Sequence, residues 1–350
     1  MKHLSQTLLG RVFEGVASGP EVDDAVSHLA SRCRHCWNLA AKVVADLSAQ
    51  GKLAVINSTG PGAVVKLMRE DHKRLYGRLR ARAHWAGLKG KAPKKQAEAL
   101  RSTRSFQTSG MFSTLLEEAE RTAATDSVLA EHNAHLALIL VECLDERYEE
   151  KLRNDRRGEA WTIIANCRRL GADFKGAGAA IIAARNLLAA GTGDAQTEAR
   201  LLSIQASLAA DTGRVELTRG LLGRARERYI KERDWAGAAR VVVKEASALQ
   251  ELFPEEALDK ASQALRLLRE SDIRLTMHAK SIMTESLILL GQIPDALRNF
   301  EETRPLYEQF LEPRVQIRVQ FIEARLLDAG ECIREAEKLY LEAVRAFNEA

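Results

Sequence analysis

Apolar residues recur every three to four positions along most of the chain, in stretches separated by short breaks. Four stretches rich in Ala, Leu and Val run over Ala199–Ala210, Ala236–Leu249, Met277–Leu290 and Val315–Ala329. Each is followed by a break and by a second stretch with the same spacing. This spacing is typical of amphipathic α-helices. The pattern therefore predicts an all-α protein made of consecutive helix pairs, with strands as a minor element at most.

The breaks between these stretches are periodic. Gly213, Leu252, Gly291 and Gly330 follow one another at intervals of 39 residues, and Gly171 lies 42 residues before Gly213. A fixed period of this length is typical of a helical repeat array in which each unit buries its apolar stripe against its neighbours. We therefore expect a solenoid rather than one central core.

The second helix of each pair carries a small residue shortly after the break and a second contact residue four positions later. Residues four apart lie on one helix face, so a small residue there allows two antiparallel helices to approach closely. The pairs are Thr218 and Leu222, Ala257 and Ala261, Ala296 and Phe300, and, shifted by one position, Ala177 with Ile181 and Ala336 with Tyr340.

The segment Leu290-Gly291-x-Ile293-x-x-Ala296-x-x-x-Phe300 resembles the tetratricopeptide repeat family, and the resemblance covers about Glu159–Ala350. The unit is longer than the family's usual length of about 34 residues, and most signature positions of the first helix are missing. The resemblance implies a loose superhelix whose concave face binds a peptide or helix of a protein partner. The alternative is a spacer. The last stretch reaches Ala350 without a cap, so we expect further chain or a partner there.

A second motif near the N-terminus has the spacing of a metal site. It reads His28-x4-Cys33-x2-Cys36, with His3 lying 25 residues before His28. Two imidazoles and two thiolates match the tetrahedral preference of Zn²⁺, and four protein ligands would make a structural site with no open position. The alternatives are ordinary buried thiols with a polar His at a helix end, or His35 as a substitute ligand.

The chain around this motif resembles the zinc-binding anti-sigma domain of bacteria over about Lys2–Ala49. The resemblance rests on an early His, an acidic residue and Gly before a turn, a Ser-x-x-Glu helix start, and the His-Leu and Cys-x2-Cys motifs, although four residues rather than the usual three separate His28 from Cys33. It implies a structural or redox-sensing zinc site and helices that grip a sigma factor. Its implied ligands are His3, His28, Cys33 and Cys36.

Helix signals around the motif place these ligands. A first helix is expected over Leu4–Val16 with His3 at its start, and Ser18-x-x-Glu21 predicts a capping box for a helix that runs to about Ala30. Cys36 is expected to open a third helix over Trp37–Gln50.

Charge is unevenly distributed. The net charge is +4, but Lys66–Arg104 holds thirteen Lys or Arg against three acidic residues. Basic residues with interleaved aromatic residues are typical of contacts with nucleic acid or with an acidic protein. The alternative is a solvated helix followed by a flexible linker. The candidate contact residues are Lys73, Arg74, Arg78, Arg80 and Arg82, with Tyr76, His84 and Trp85 between or beside them.

These features predict three regions: a zinc-knuckle module over 1–50, a basic connector over 51–105, and helical repeats over 106–350 that are clearest from 159. No apolar run is long enough for a membrane span, no cleavable leader is present, and five cysteines do not form a disulfide framework, so a cytoplasmic protein is expected.

The favoured function is a non-catalytic regulatory or scaffold protein that binds a protein partner through its superhelix. The alternative is a transcription regulator that sequesters a sigma factor or contacts nucleic acid through the basic segment. We do not expect an enzyme, because the sequence presents no nucleophile with a base, open metal site or cofactor loop.

Overall fold

A computed structural model of the chain divides into two compact units, Met1–Leu115 and Leu116–Ala350. No strand occurs among the residues that it describes, and no helix among them is long and apolar enough to cross a membrane. The described residues are 3–14, 16–18, 21, 24–25, 28–29, 33–50, 77–78, 80–144, 149–268, 272–310 and 312–349.

The first unit contains three complete helices with assigned bounds: α1 (Gln6–Phe13), α2 (Arg34–Ala49) and α3 (Pro93–Ser102), followed by a 3-10 turn at Arg104–Phe106. Helices α1 and α2 contact each other. The buried side chains between and beside them form one apolar cluster around Leu9, Val12, Phe13, Leu29, Cys36, Ala40, Val43 and Leu47. The predicted metal-binding motif therefore lies on a packed core.

The second unit consists of helices joined by short turns. Helix α4 (Ser109–Thr122) contains the boundary between the units. The helices that follow are α5 (Ser127–Glu142), α6 (Glu150–Leu170), α7 (Phe174–Ala189), α8 (Ala195–Asp211), α9 (Val215–Lys231), α10 (Trp235–Leu249), α11 (Pro254–Leu268), α12 (Ile273–Leu289), α13 (Ile293–Tyr307), α14 (Pro313–Ala329) and α15 (Ile333–Glu349).

From α6 onward these helices pack as five pairs, α6 with α7 through α14 with α15. The first helices of successive pairs, α6, α8, α10, α12 and α14, also contact one another. They therefore form the inner layer of a solenoid, and the second helices form the outer layer. The predicted all-α solenoid of helix pairs is confirmed, with every predicted break in a turn between the two helices of a pair.

Nine of the ten predicted contact residues in the second helices are buried, and the tenth, Tyr340, is partly buried. Ala177, Ala257, Ala261 and Ala296 have no exposed surface, and Phe300 is 1% exposed. Alanine at the seam lets the helix axes approach, and Phe300 fills the wider space between α12, α13 and α14. The regular seam explains why the repeat is visible in the sequence.

Four of the five turns within pairs place one residue in the left-handed region just after the first helix ends, and the turn between α10 and α11 does not. Gly213 and Gly291 hold this position, each with φ of 72°. After α6 and α14 the glycine comes one position too early, so Ala172 and Glu331 adopt the left-handed conformation instead, each with φ of 62°. Left-handed backbone is costly for residues with a Cβ atom, so these two turns are strained.

Candidate functional site

The N-terminal motif brings its four predicted residues together. One ligand atom from each of His3, His28, Cys33 and Cys36 lies within 4.8 Å of the others. The Nδ1 atom of His3 lies 3.3 Å from Cys33 Sγ and 3.5 Å from Cys36 Sγ. Tetrahedral zinc with ordinary bond lengths would hold such nitrogen and sulfur atoms roughly 3.5 Å apart. The group could therefore hold a metal ion.

The position of His3 relative to α1 differs from the prediction. Helix α1 begins at Gln6, because the Ser5 side chain accepts the Leu8 N–H as an N-cap. His3 therefore precedes the helix and does not open it. The extended residues before the cap place the Leu4 N–H 3.2 Å from Cys36 Sγ, where it donates a hydrogen bond.

The capping-box contact is present. The Ser18 backbone N–H and hydroxyl both donate to the Glu21 carboxylate, which also receives two hydrogen bonds from Arg11 of α1. This carboxylate links the turn to the helix that precedes it. Hydrogen bonds from Ser18 are also the main reason that the pKa of Glu21 is lowered.

The two cysteines differ electrostatically. Helix α2 starts at Arg34, earlier than predicted, so Cys36 lies in its first turn and is fully buried. Burial raises the pKa of Cys36, whereas the Cys36 backbone N–H lowers the pKa of Cys33. Cys33 is thus the more readily ionised thiol. His35, the alternative ligand, is exposed and outside the four-residue group, although its ring centre is 4.7 Å from that of His3.

The basic segment is only partly described. Arg78, Arg80 and Arg82 are exposed, and residues 80–86 are helical. Lys73, Arg74 and Tyr76 lie outside the described residues. The structure provides a different role for the other two aromatic residues. Trp85 is buried, and the rings of His84 and Phe106 pack edge to face with centres 5.0 Å apart. These rings contribute to packing, so they do not form an exposed stacking surface for bases.

The inner layer of the second unit encloses three adjoining cavities. The first, of about 610 Å³, is lined mainly by α6, α8 and α10, and the second, of about 370 Å³, by residues from Arg169 to His278. The third, of about 430 Å³, lies between α12, α13 and α14. Lys244 lines the first two, His278 the last two, and Arg240 the first and third. We call these three adjoining cavities together the inner groove; each cavity alone has the size of a ligand site.

The residues shared by these cavities were not among the predicted site residues. Arg240 and Lys244 stand one turn apart on α10, a spacing that in isolation looks like an ordinary solvated face. A signal was available, because seven of the other thirteen residues of α10 are apolar and buried. A partly buried lysine among buried apolar residues indicates a polar cavity, whereas Arg240 on the same face is exposed.

Comparison with known proteins supports the architecture. No protein-family model matches the chain, and no curated protein matches its sequence. Solved structures do match, among them the crystal structure of aspartyl phosphate phosphatase F from Bacillus subtilis, with 10% identity and a TM-score of 0.50 over 99% of this chain and 95% of that one. At this identity the similarity concerns the fold alone: the chain is a tetratricopeptide-like helical solenoid.

Proposed function

We propose that this chain is a non-catalytic regulatory or scaffold protein that binds a segment of a protein partner in the inner groove. The observation that carries the proposal is the inner layer of five first helices, which lines three adjoining cavities that share residues. Stacked helix pairs use such extended surfaces to bind other macromolecules.

The N-terminal group is proposed to hold Zn²⁺ as a structural ion. Its two nitrogen and two sulfur donors suit zinc, and the distances from His3 to the two sulfur atoms are close to those around a tetrahedral ion. Zinc bound by His3, His28, Cys33 and Cys36 would link the segment before α1 to the start of α2. With four protein ligands it would have no position for a substrate, which is consistent with a role in stability.

The proposed binding site can be tested by photo-crosslinking in the native host. A photoreactive amino acid at Ser247, which lines the second cavity, should cross-link a protein partner. The same amino acid at Glu227, exposed on the outer helix α9, serves as the matched control. Cross-links from Glu227 but not from Ser247 would contradict binding in the inner groove.

A further inference from the structure

Several charged residues of the inner groove have partners of opposite charge, either on the same helix or on a neighbouring one. Arg156 pairs with Glu159 at 2.9 Å, Arg169 pairs with Asp211 at 2.7 Å, and Arg200 pairs with Glu120. Asp194 and Asp234 accept hydrogen bonds from the first backbone N–H groups of α8 and α10, which satisfies those helix ends. These groups compensate one another within the groove wall.

Two cations in the groove differ from this pattern. Lys244 donates only to neutral hydroxyls, at 2.8 Å to Ser203 and 3.3 Å to Ser207. Arg240 donates at 3.4 Å to the Ala236 carbonyl of its own helix. Within the described ranges, neither forms an ion pair with a carboxylate. Because they are four residues apart on α10, both project from one face into the first cavity.

The surroundings of Lys244 make its positive charge unfavourable. Burial and, to a smaller extent, the charges of Arg169, Arg200 and Arg240 together lower the pKa of Lys244 to about 8. A buried cation among other cations is stabilised when an anion enters the site. A purely structural lysine would be stabilised by a nearby carboxylate, as Lys260 is by Glu245 at 2.9 Å.

The third cavity offers a different surface next to these cations. Its wall includes Leu275, Met277, Val315 and Val319, and it shares Arg240 with the first cavity. Tyr307 closes one side, and its hydroxyl is hydrogen-bonded to Ser281 at 2.9 Å. This cavity suits an apolar side chain, because most of its lining atoms are carbon.

We propose that Arg240 and Lys244 bind a carboxylate of an acidic peptide segment, whose neighbouring apolar side chain occupies the cavity lined by Met277, Val315 and Val319. This inference rests on the proposed function and specifies the chemistry of the partner. A peptide is favoured over a small anion because the charged and apolar cavities adjoin at Arg240, so one extended ligand can reach both.

The test uses phage-displayed dodecapeptides selected on the immobilised full-length chain. Peptides that bind should be enriched in Asp or Glu beside Leu, Ile or Phe. For a selected peptide labelled with fluorescein, replacing the acidic residue with its amide should weaken binding at least about tenfold in fluorescence anisotropy, as loss of a buried charge pair does. Selection without acidic enrichment, or equal affinity of the amide peptide, would overturn the proposal.

The second part of the test uses variants of the protein. Lys244→Met should weaken binding of the acidic peptide at least about tenfold, and Arg240→Gln should weaken it by a smaller factor because Arg240 is exposed. Lys260→Met, which alters a lysine already paired with Glu245, should not weaken it. Lys244→Met should leave the melting temperature unchanged or raise it, because an unfavourable buried charge is removed. A fall in melting temperature without loss of peptide affinity would show a structural lysine and overturn the proposal.

Two further outcomes separate the possible failures. If inorganic phosphate binds more tightly than the acidic peptide, the site is a phosphate site and the peptide proposal is wrong. If Ser247 cross-links a partner equally well in wild-type protein and in Lys244→Met, the groove binds its partner by other contacts, so only this inference fails. Absence of any cross-link from Ser247 refutes the proposed function itself.

Discussion

The surroundings of His278 on α12 favour its neutral imidazole over the protonated one. It lines the inner groove, where burial and, to a smaller extent, Arg318 lower its pKa to about 4. In the unfolded chain a histidine titrates near its ordinary value of about 6.5. Between these two values the unfolded state binds more protons than the folded state, so stability falls as the pH falls.

We therefore expect acidification from about pH 7 to about pH 5 to reduce the free energy of unfolding by on the order of 2 kcal/mol through His278 alone. His278→Gln should remove this part of the pH dependence while unfolding in urea at about pH 7 remains cooperative. Equal losses of stability in the wild type and the variant over this range would show that His278 is protonated in the folded protein.

A second prediction at the level of single residues concerns the glycines. Gly291→Ala should lower the free energy of unfolding by about 1 kcal/mol, because its φ of 72° disfavours a Cβ atom although nothing lies within 4 Å of that position. Gly220→Ala, in the interior of α9 with equally open surroundings, should raise it by up to about 1 kcal/mol. Urea unfolding of both variants separates backbone strain from packing; the same sign for both would contradict this account.

The sequence could predict that a turn follows each first helix, but not which residue takes the strained conformation. A glycine marks the turn after α6 and after α14, yet in both cases the next residue, Ala172 or Glu331, carries the positive φ. The backbone hydrogen bonds that end the helix fix this position, and a shift of one residue leaves the glycine pattern almost unchanged.

At the level of helices, the arrangement of the N-terminal segment leads to a prediction about zinc content. Protein purified under reducing conditions should contain about one equivalent of zinc, and Cys36→Ser should lose it together with thermal stability of the first unit, because the ion would join both ends of its core. His35→Ala changes a neighbouring residue outside the four-residue group and should retain the metal. Metal analysis by mass spectrometry gives the readout, and full zinc content in Cys36→Ser would contradict the assignment.

These elements also show where sequence patterns stop being sufficient. The four residues could be selected from their types and spacing, and the structure does bring them together. The helix bounds were less accurate, because the Ser5 cap moves the start of α1 past His3, and α2 begins at Arg34 instead of Trp37. More than one short polar residue before an apolar run can serve as an N-cap, so the sequence allows several helix starts. The packing of the folded chain selects one of them.

The solenoid as a whole is expected to lose stability locally. Phe300→Ala should cost about 3–5 kcal/mol, because its fully buried ring packs among α12, α13 and α14. Contacts in such an array reach only adjacent units, so hydrogen exchange should accelerate in these helices and remain close to wild type in α6 and α7. Leu297→Ala, which alters a half-exposed residue of the same helix, is the control. Uniform acceleration along the second unit would indicate one cooperative core.

At this scale the repeat was predictable and the groove was not. The period and the small residues at the seam, such as Ala257 and Ala296, are local features that can be recognised in the sequence alone. Which side of α10 faces the groove depends on the rotation from each helix pair to the next. That rotation arises from the packing of whole helices, so no short window of sequence contains it.

The depressed pKa of Lys244 also gives this side chain unusual chemistry. Near pH 8 about half of its amines are unprotonated, whereas an ordinary lysine is almost completely protonated there. Only the unprotonated amine acts as a nucleophile toward acylating reagents. Lys244 should therefore be acylated early in a brief treatment, and a ligand that covers α10 should protect it. Peptide mapping of the labelled protein would then report directly whether the groove is occupied.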